Sequence, residues 1–263
     1  SWAHDTFQVS PILGITSPTK RCGKTQLMEV LTVCTPFPLS TSNISPAGVY
    51  RVIDRLVRDH GRPPTILYDE ADTSLPDRPD LRGIINGGHR RPLATVWRCT
   101  GEDQEPKPFS SWGPKCIAMI GRLPDTTEDR AIPIMMRRRM PHETLKPIRF
   151  DRLYDDCETL RRKAARWARD SLAELRERDP QMPDGLNDRQ ADSWRPLLAV
   201  AEIAGGEWPT HARAAAVDLM ALVSDNPTIE IELLRDLRLI FAELENPNHL
   251  RTTVLIQRLQ SLE

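Results

Sequence analysis

The chain has 263 residues, 39% of them hydrophobic, and its 36 basic and 37 acidic side chains leave a formal net charge of −1. A chain of this length and apolar content can bury a core, which excludes intrinsic disorder as its dominant state. No run approaches the roughly 18 apolar residues that cross a bilayer, and residues 1–10 lack a basic run followed by an apolar block. We therefore expect neither a membrane span nor a signal peptide.

Cysteine usage and charge distribution bear on compartment and partner. The five cysteines are scattered, odd in number and never spaced Cys-x-x-Cys, which disfavours a disulfide framework and a zinc site. We therefore predict a reducing, cytoplasmic compartment. Residues 1–150 carry 21 basic and 16 acidic side chains, whereas 151–263 carry 15 and 21. The basic half permits a polyanionic partner without demanding one.

Strands and helices alternate over the first 150 residues. Helical spacing of apolar residues begins at Lys24 and again at Pro46, where Ser45 is the expected N-cap. Such alternation is typical of an α/β domain with a largely parallel sheet. Four apolar runs predict its strands, at 11–16, 65–68, 116–120 and 131–136.

After residue 150 the pattern predicts helices only. Arg and Glu are dense in the first of these helices, and no convincing strand follows. The predicted helices lie at 151–178, 188–204 and 209–223. We therefore predict three parts: an α/β core (1–150), a helical lid (151–225) and a C-terminal helical segment (226–263).

The stretch Ser17-Pro-Thr-Lys-Arg-Cys-Gly-Lys-Thr25 lies between the first predicted strand and the first predicted helix. Triphosphate binding requires backbone N–H groups around the β-phosphate, a helix N-terminus pointing at it, a lysine for the β- and γ-oxygens and a hydroxyl for Mg²⁺. Gly23, Lys24 and Thr25 match the last three positions of such a phosphate loop, whereas Pro18 takes the place of its first glycine. We predict that ATP is bound by Thr19, Lys20, Arg21, Cys22, Gly23, Lys24, Thr25 and Gln26.

An acidic pair, Asp69-Glu70, follows the second predicted strand. In nucleotide hydrolysis an aspartate at this place holds the Mg²⁺ shell, and the adjacent glutamate polarises the attacking water. The alternative is a strand end followed by a solvated acidic turn. Because both motifs occur in the expected order, we predict that Thr25 and Asp69 hold Mg²⁺, and that Glu70 is the catalytic base, acting with Lys24.

Arginines complete the predicted site. Arg130 follows the third strand, where ring ATPases place an arginine that reaches the neighbouring subunit's γ-phosphate. Arg189, with Arg195 in reserve, begins a helix of the lid and is predicted to contact the γ-phosphate within its own subunit. The alternatives are an exposed Asp-Arg pair for Arg130 and a solvated helix face for the other two. A sensing role for Arg122 is a weaker hypothesis.

A β-hairpin is predicted within residues 93–112, just before the third strand. Hairpins at this point of hexameric helicases project into the central channel and grip DNA, and Arg98 and Lys107 suit such a role. The acidic tip at 101–105 disfavours phosphate contact, so a structural hairpin over the sheet edge remains the alternative. The basic runs 137–139 and 161–163 are interpreted as solvated faces, with nucleic-acid contact as the minority alternative.

Six motifs stand together in this chain and are specific as a set: Asn43-Ile-Ser-Pro-Ala47, Asp69-Glu-Ala-Asp-Thr73, Leu81-Arg-Gly-Ile-Ile-Asn-Gly-Gly-His-Arg90, Phe109-Ser-Ser-Trp-Gly-Pro-Lys115, Gly121-Arg-Leu-Pro-Asp-Thr126 and Trp194-Arg-Pro-Leu-Leu198. They resemble a domain family of phage, plasmid and integrated-element proteins, often attached to primase-like or replication modules. The family has been treated as AAA+-like, superfamily 3-like P-loop ATPases. The resemblance implies an ATP-driven, DNA-transacting motor with a P-loop α/β core.

We therefore predict an ATP-hydrolysing DNA helicase or translocase in mobile-element replication. Because an arginine acting between subunits leaves each subunit incomplete, we expect a homo-oligomer, a hexameric ring, that binds single-stranded DNA and no membrane. The alternative is an ATP-dependent assembly switch or scaffold, such as a loader or defence component, without unwinding activity. A third reading, a degenerate ATPase kept for structure, is favoured by Pro18 and opposed by Asp69 and Glu70.

Overall fold

The computed structural model describes residues 1–145, 147–224, 229–244 and 246–260. The chain divides into two compact units, Ser1–Leu219 and Met220–Glu263. The larger unit is α/β with a parallel sheet, which confirms the predicted fold class at that level. The boundary near residue 150 stays a prediction.

A five-stranded parallel sheet forms the centre of the larger unit, in the order β2-β3-β6-β1-β7, and a separate antiparallel pair joins β4 to β5. The four predicted strands and the hairpin are confirmed. No sequence pattern predicted β2, a short edge strand whose residues alternate between exposed and half-buried. The bounds are β1 Ile12–Ser17, β2 Pro38–Thr41, β3 Thr65–Tyr68, β4 Thr95–Thr100, β5 Glu105–Ser110, β6 Lys115–Ile120 and β7 Ala131–Met135.

The helices of the larger unit are α1 Lys24–Cys34, α2 Pro46–His60, α3 Pro79–Gly87, α4 Asp125–Glu128, α5 Phe150–Asp156, α6 Glu158–Glu177 and α7 Asp188–Ala204, and α8 spans Trp208–Ser224. The smaller unit contains α9 Ile229–Glu243 and α10 Thr252–Gln260. One predicted helix, 151–178, is divided at Cys157 into α5 and α6.

Local sequence signals account for the ends of α2. The Ser45 hydroxyl accepts a hydrogen bond from the Gly48 N–H at 3.0 Å, and Pro46 opens the helix with its φ already set. Gly61 ends the helix in the left-handed conformation, with φ +72°, and its N–H donates to the Val57 carbonyl. The predicted N-cap is therefore confirmed.

Helices cover both faces of the sheet and so bury it. On one face, α2 and α3 pack on side chains that include Ile12, Tyr68 and Ile117. On the other, Met28 of α1 packs on a smaller set: Ile15, Leu67, Cys116 and Ala118.

Gly14, in the middle of β1, is fixed by a close approach. A Cβ at this position would lie 2.6 Å from Leu123 Cδ1 and 3.3 Å from the Ala131 Cβ. A side chain there would therefore require the Leu123 side chain to move and the Ala131 Cβ to shift by a few tenths of an ångström.

The C-terminal end of α1 contacts the junction between α5 and α6. The thiols of Cys34 and Cys157 are neighbours, and burial, followed by the interaction with Cys157, raises the pKa of the Cys34 thiol. The Arg161 guanidinium donates to the Val33 carbonyl and lies 3.9 Å from the centre of the Tyr154 ring. Both cysteines are reduced, so the structure pairs two thiols that the sequence showed only as scattered.

Candidate nucleotide site at the carboxyl edge of the sheet

The two predicted nucleotide motifs lie at the same edge of the parallel sheet. Gly14 of β1 and Tyr68 of β3 both align with Ile117 of β6, which runs between them. The two strands are therefore two strand spacings, about 10 Å, apart across the sheet, and β1 continues three residues beyond the level at which β3 ends. Ligands of open α/β sheets bind outside the carboxyl ends of the strands, and both motifs begin there.

The loop after β1 is curled by two residues with positive φ, Arg21 at +66° and Gly23 at +86°. The Lys24 Nζ atom donates to Ser17 Oγ at 2.6 Å, and the same hydroxyl donates to the Thr19 carbonyl at 2.8 Å. The lysine is thus folded back over its own loop at the first turn of α1. A loop of this form places a cation and a helix N-terminus around one point, as an anion site requires.

Cys22 is the buried member of the loop, and its thiol lies 3.3 Å from the Thr19 carbonyl oxygen. Its side chain therefore holds the loop from inside, and its contact with a nucleotide stays a prediction. The remaining side chains predicted to bind nucleotide here are exposed: Thr19, Lys20, Arg21, Thr25 and Gln26.

The acidic pair occupies the turn after β3. The Asp69 N–H donates to the Thr41 carbonyl at 2.9 Å, and its carboxylate accepts from the Glu70 N–H at 2.9 Å. Glu70 is exposed and has φ +53°. A non-glycine residue held in the left-handed region costs of order 1–3 kcal/mol, and such residues cluster at functional sites. The turn therefore holds a carboxylate outward at an energetic cost.

Hydrogen bonds link this turn to the phosphate loop. The Asp72 carboxylate accepts from the Ile120 N–H at 3.0 Å, and the Gly121 N–H donates to the Ser17 carbonyl at 2.9 Å. The end of β6 therefore connects the acidic turn to the residue that holds Lys24.

Arg138 contacts the loop after β1, a position that sequence reasoning did not give it. It belongs to a basic run interpreted as a solvated face, but its Nε donates to the Lys20 carbonyl at 3.2 Å. The Met136 N–H donates to the Thr16 carbonyl at 2.7 Å and so extends the pairing of β7 with β1. The basic run 137–139 therefore starts at the carboxyl edge of the sheet. The available signal was the position of Arg138 two residues after a predicted parallel strand.

Arg130 lies at the opposite, amino edge of the sheet. Its carbonyl accepts from the Ile12 N–H at 3.0 Å, so the length of β1, about 16 Å, separates it from Ser17. Its guanidinium donates to the Thr126 carbonyl. Burial, followed by the positive charge of Arg189, lowers the pKa of Arg130. The structure does not bring Arg130 to Lys24 of its own chain.

Arg189 also lies at the amino edge, where it pairs with Asp129. Arg195 pairs with Asp179. Neither contact involves the phosphate loop, so the structure brings Arg189 beside Arg130 rather than beside Lys24.

Two further contacts hold the start of α7 at the amino edge. Arg90 pairs with Asp192, and His89 Nε2 lies 3.1 Å from Ser193 Oγ. Burial lowers the pKa of His89 to about 4, and the nearby positive charge of Arg130 acts in the same direction. His89 is therefore neutral at physiological pH.

The hairpin β4–β5 rests on α2 by one face. Val96 and Phe109 pack against the core, and the Arg98 guanidinium lies 5.6 Å from the centre of the Tyr50 ring. The indole of Trp97 points to the other face and is 61% exposed. The hairpin therefore presents a large exposed aromatic side chain.

Within the described residues, no three His, Cys, Asp or Glu side chains come together as a metal site. Mg²⁺ in nucleotide enzymes is held by one or two protein oxygens, waters and phosphate, and the Thr25 hydroxyl and Asp69 carboxylate are of that kind. Across the same part of the chain, no helix has the length and apolarity that a membrane crossing needs.

Comparisons with known proteins concern about half of the chain. Residues 135–263 match a family described as "Protein of unknown function (DUF3631)". They include Arg138 and Arg189 but not the phosphate loop. A protein of Saccharopolyspora erythraea, "Uncharacterized 28.9 kDa protein in xis 5'region", is 44% identical over 128 residues, which is 48% of this chain and 47% of that protein. The chain thus spans about half the length of the curated relative that it resembles.

Proposed function

We propose that this chain binds ATP at the carboxyl edge of its sheet and hydrolyses it. The observation that carries the proposal is the placement of Lys24, folded over a curled loop, at the same edge as Asp69 and Glu70. A cation at a helix N-terminus suits the β- and γ-phosphates. An outward carboxylate about two strands away suits the activation of a water.

Each residue has one task in this proposal. Lys24 holds the β- and γ-oxygens, and backbone N–H groups of the loop up to Gly23 surround the β-phosphate. Glu70 accepts a proton from the attacking water. Arg138 reaches the phosphates from the same chain, a task that sequence reasoning gave to Arg189. Mg²⁺, when bound by Thr25 and Asp69, neutralises phosphate charge.

Arg130 acts on a neighbouring copy of the chain. Since it lies at the edge opposite its own phosphate loop, it can reach a nucleotide only across an interface. The proposal therefore includes a homo-oligomer that closes as a ring, which a head-to-tail contact generates when its rotation closes. Two inactive variants test this: Glu70→Gln and Arg130→Ala should regain turnover when mixed, up to about a quarter of the wild-type rate in random rings.

Single-stranded DNA is the proposed partner, in a helicase or translocase role. The exposed indole of Trp97 offers a stacking surface, and base–aromatic stacking is worth about 1–3 kcal/mol per base. Trp97→Ala should therefore weaken the binding of an oligonucleotide at least about fivefold. Unchanged binding would remove the hairpin from the proposal.

A second function, an ATP-dependent assembly switch or scaffold, is favoured by the acidic tip of the same hairpin. Glu102 and Asp103 lie between β4 and β5, and their charge opposes contact with phosphates. A switch would bind ATP, hydrolyse it slowly and ignore DNA.

One assay separates these functions. ATP turnover is measured against protein concentration, with and without single-stranded DNA, and Glu70→Gln serves as the blank. A motor gives turnover that rises with both concentration and DNA. Slow turnover that ignores DNA supports the switch, and turnover equal to that of the Glu70→Gln blank contradicts the ATPase proposal itself.

A further inference from the structure

The first turn of α7 brings a second arginine to the edge at which Arg130 lies. A capping box fixes this turn: the Asn187 side chain accepts from the Gln190 N–H, and the Gln190 side chain accepts from the Asn187 N–H, each at 2.9 Å. Arg189 lies between these two residues in sequence and pairs with Asp129, the residue before Arg130. The position of Arg189 is therefore fixed at the amino edge of the sheet.

The guanidiniums of Arg130 and Arg189 are close enough to repel each other. Burial, followed by the positive charge of Arg189, lowers the pKa of Arg130, and the charge of Arg90 acts in the same direction. Arg189 and Arg90 each pair with a carboxylate. The Arg130 guanidinium donates instead to the Thr126 carbonyl, which is neutral. Three guanidiniums thus meet two carboxylates, and an anion at this edge would offset the difference.

Both arginines can be reached from outside the chain but not from its own phosphate loop. The side chain of Arg189 is 47% exposed, and Arg130 is half-buried. The length of β1, about 16 Å, separates the amino edge from Ser17. A nucleotide phosphate that contacts these two arginines therefore belongs to another copy of the chain.

We propose that Arg189 acts together with Arg130 on the nucleotide of a neighbouring copy, so that one subunit supplies both arginines to the γ-phosphate bound by the next. The assignment, which rests on the ATPase function proposed above, moves Arg189 from its own subunit to an interface. In the transition state the charge of the transferred group spreads over three equatorial oxygens. The fork of one guanidinium holds two oxygens in parallel, and the second guanidinium covers the third.

Single substitutions test the contact itself. Arg189→Ala removes hydrogen bonds from a charged group and should lower ATP turnover about 10- to 100-fold. The ATP affinity of the dilute chain should stay unchanged, because Arg189 does not contact the nucleotide of its own subunit. Asp129→Asn breaks the same ion pair and keeps both arginines, so turnover should stay within about threefold of the wild type. Arg166→Ala, which breaks an exposed pair with Asp170 on α6, is the matched control and should change nothing.

Mixtures of variants show which subunit supplies Arg189. Mixed with Glu70→Gln, Arg189→Ala should regain up to about a quarter of the wild-type rate, because a quarter of the interfaces in random rings join an intact Glu70 to two intact arginines. Mixed with Arg130→Ala, it should regain nothing, since no subunit then carries both arginines. If Arg189 acted within its own subunit, these two outcomes would be reversed.

The results that overturn this inference differ from those that overturn the proposed function. Reversed outcomes of the two mixtures, weaker ATP binding by dilute Arg189→Ala, or wild-type turnover of that variant would each contradict the inference alone. An equal loss in Asp129→Asn would do the same, because it would show that the ion pair only docks α7. Wild-type turnover no higher than that of the Glu70→Gln blank, or no regain from Glu70→Gln mixed with Arg130→Ala, would overturn the proposed function and the inference with it.

Discussion

Replacing Lys24 with methionine removes its charge and keeps its length. In the structure Nζ lies 2.6 Å from Ser17 Oγ, so the ammonium is already held over the loop in which the phosphates are proposed to bind. The variant therefore measures the loss of the phosphate contacts with little contribution from rearrangement of the free protein.

The expected loss can be worked from two contacts, one to a β-oxygen and one to a γ-oxygen. Each hydrogen bond from a charged group contributes about 1.5–3 kcal/mol, hence about 3–6 kcal/mol together. Since 1.4 kcal/mol is a factor of ten, ATP affinity should fall about 100- to 10,000-fold. Lys24 is only half-buried, and solvent screening places the expectation at the lower end.

Calorimetric titration with ATP, ADP and AMP tests the geometry. Lys24→Met should weaken ATP and ADP and leave AMP, which has no β-phosphate, unchanged. Ser17→Ala keeps the charge but frees the side chain, so it should cost only about three- to tenfold. Lys107→Met, on the hairpin, makes the same charge change away from the loop and should have no effect. ATP affinity within threefold of the wild type for a folded Lys24→Met protein would refute the reasoning.

Three further predictions concern stability and redox state. Gly14→Ala should lower the free energy of unfolding, measured by urea denaturation, by about 1–3 kcal/mol. Gly83→Ala, whose Cβ would meet nothing within 4 Å, should raise it by up to ~1 kcal/mol. Equal effects of the two substitutions would contradict the close approach at Gly14. Because the pKa of His89 is lowered to about 4, the unfolded chain takes up its proton first, so stability should fall as pH drops from about 6.5 to 4, and His89→Gln should flatten that slope. A small-molecule disulfide should exchange with Cys34 and Cys157, which forms one S–S bond in the protein and releases two small-molecule thiols. Mass spectrometry should show that the protein loses two hydrogens, and Cys34→Ser should not show this loss. If both protein thiols were still free after treatment, the contact would be contradicted.

Apolar runs located the buried parallel strands because each lies between two covered faces. The strand predicted at 65–68 has the same bounds as β3. β2 gave no such run, since it starts at Pro38 on the edge of the sheet and is only half-buried. Cys157 divides α5 from α6 within a helical pattern that periodicity alone would continue.

The positions of Arg138 and Arg189 depend on strand register and on helix docking, and neither can be predicted from sequence spacing. Motif order brought Lys24 and Asp69 to one edge, since residues that follow parallel strands share it. Arg189 begins a helix whose docking on Asp129 depends on contacts distant in sequence. Arg138 reaches Lys20 because β7 pairs with β1 in one particular register. Arg138 and Arg189 thus lie at opposite edges of the sheet.

Strand β6 runs from the segment that follows the hairpin to the candidate nucleotide site. The hairpin leads into its first residue, Lys115, and its last residue, Ile120, is held by Asp72. Ladders to β1 and β3 clamp it from both sides, and a slip of one residue would turn its buried side chains to the wrong face. The strand therefore provides one continuous hydrogen-bonded connection between the segment that follows the hairpin and the turns beside Ser17 and Glu70.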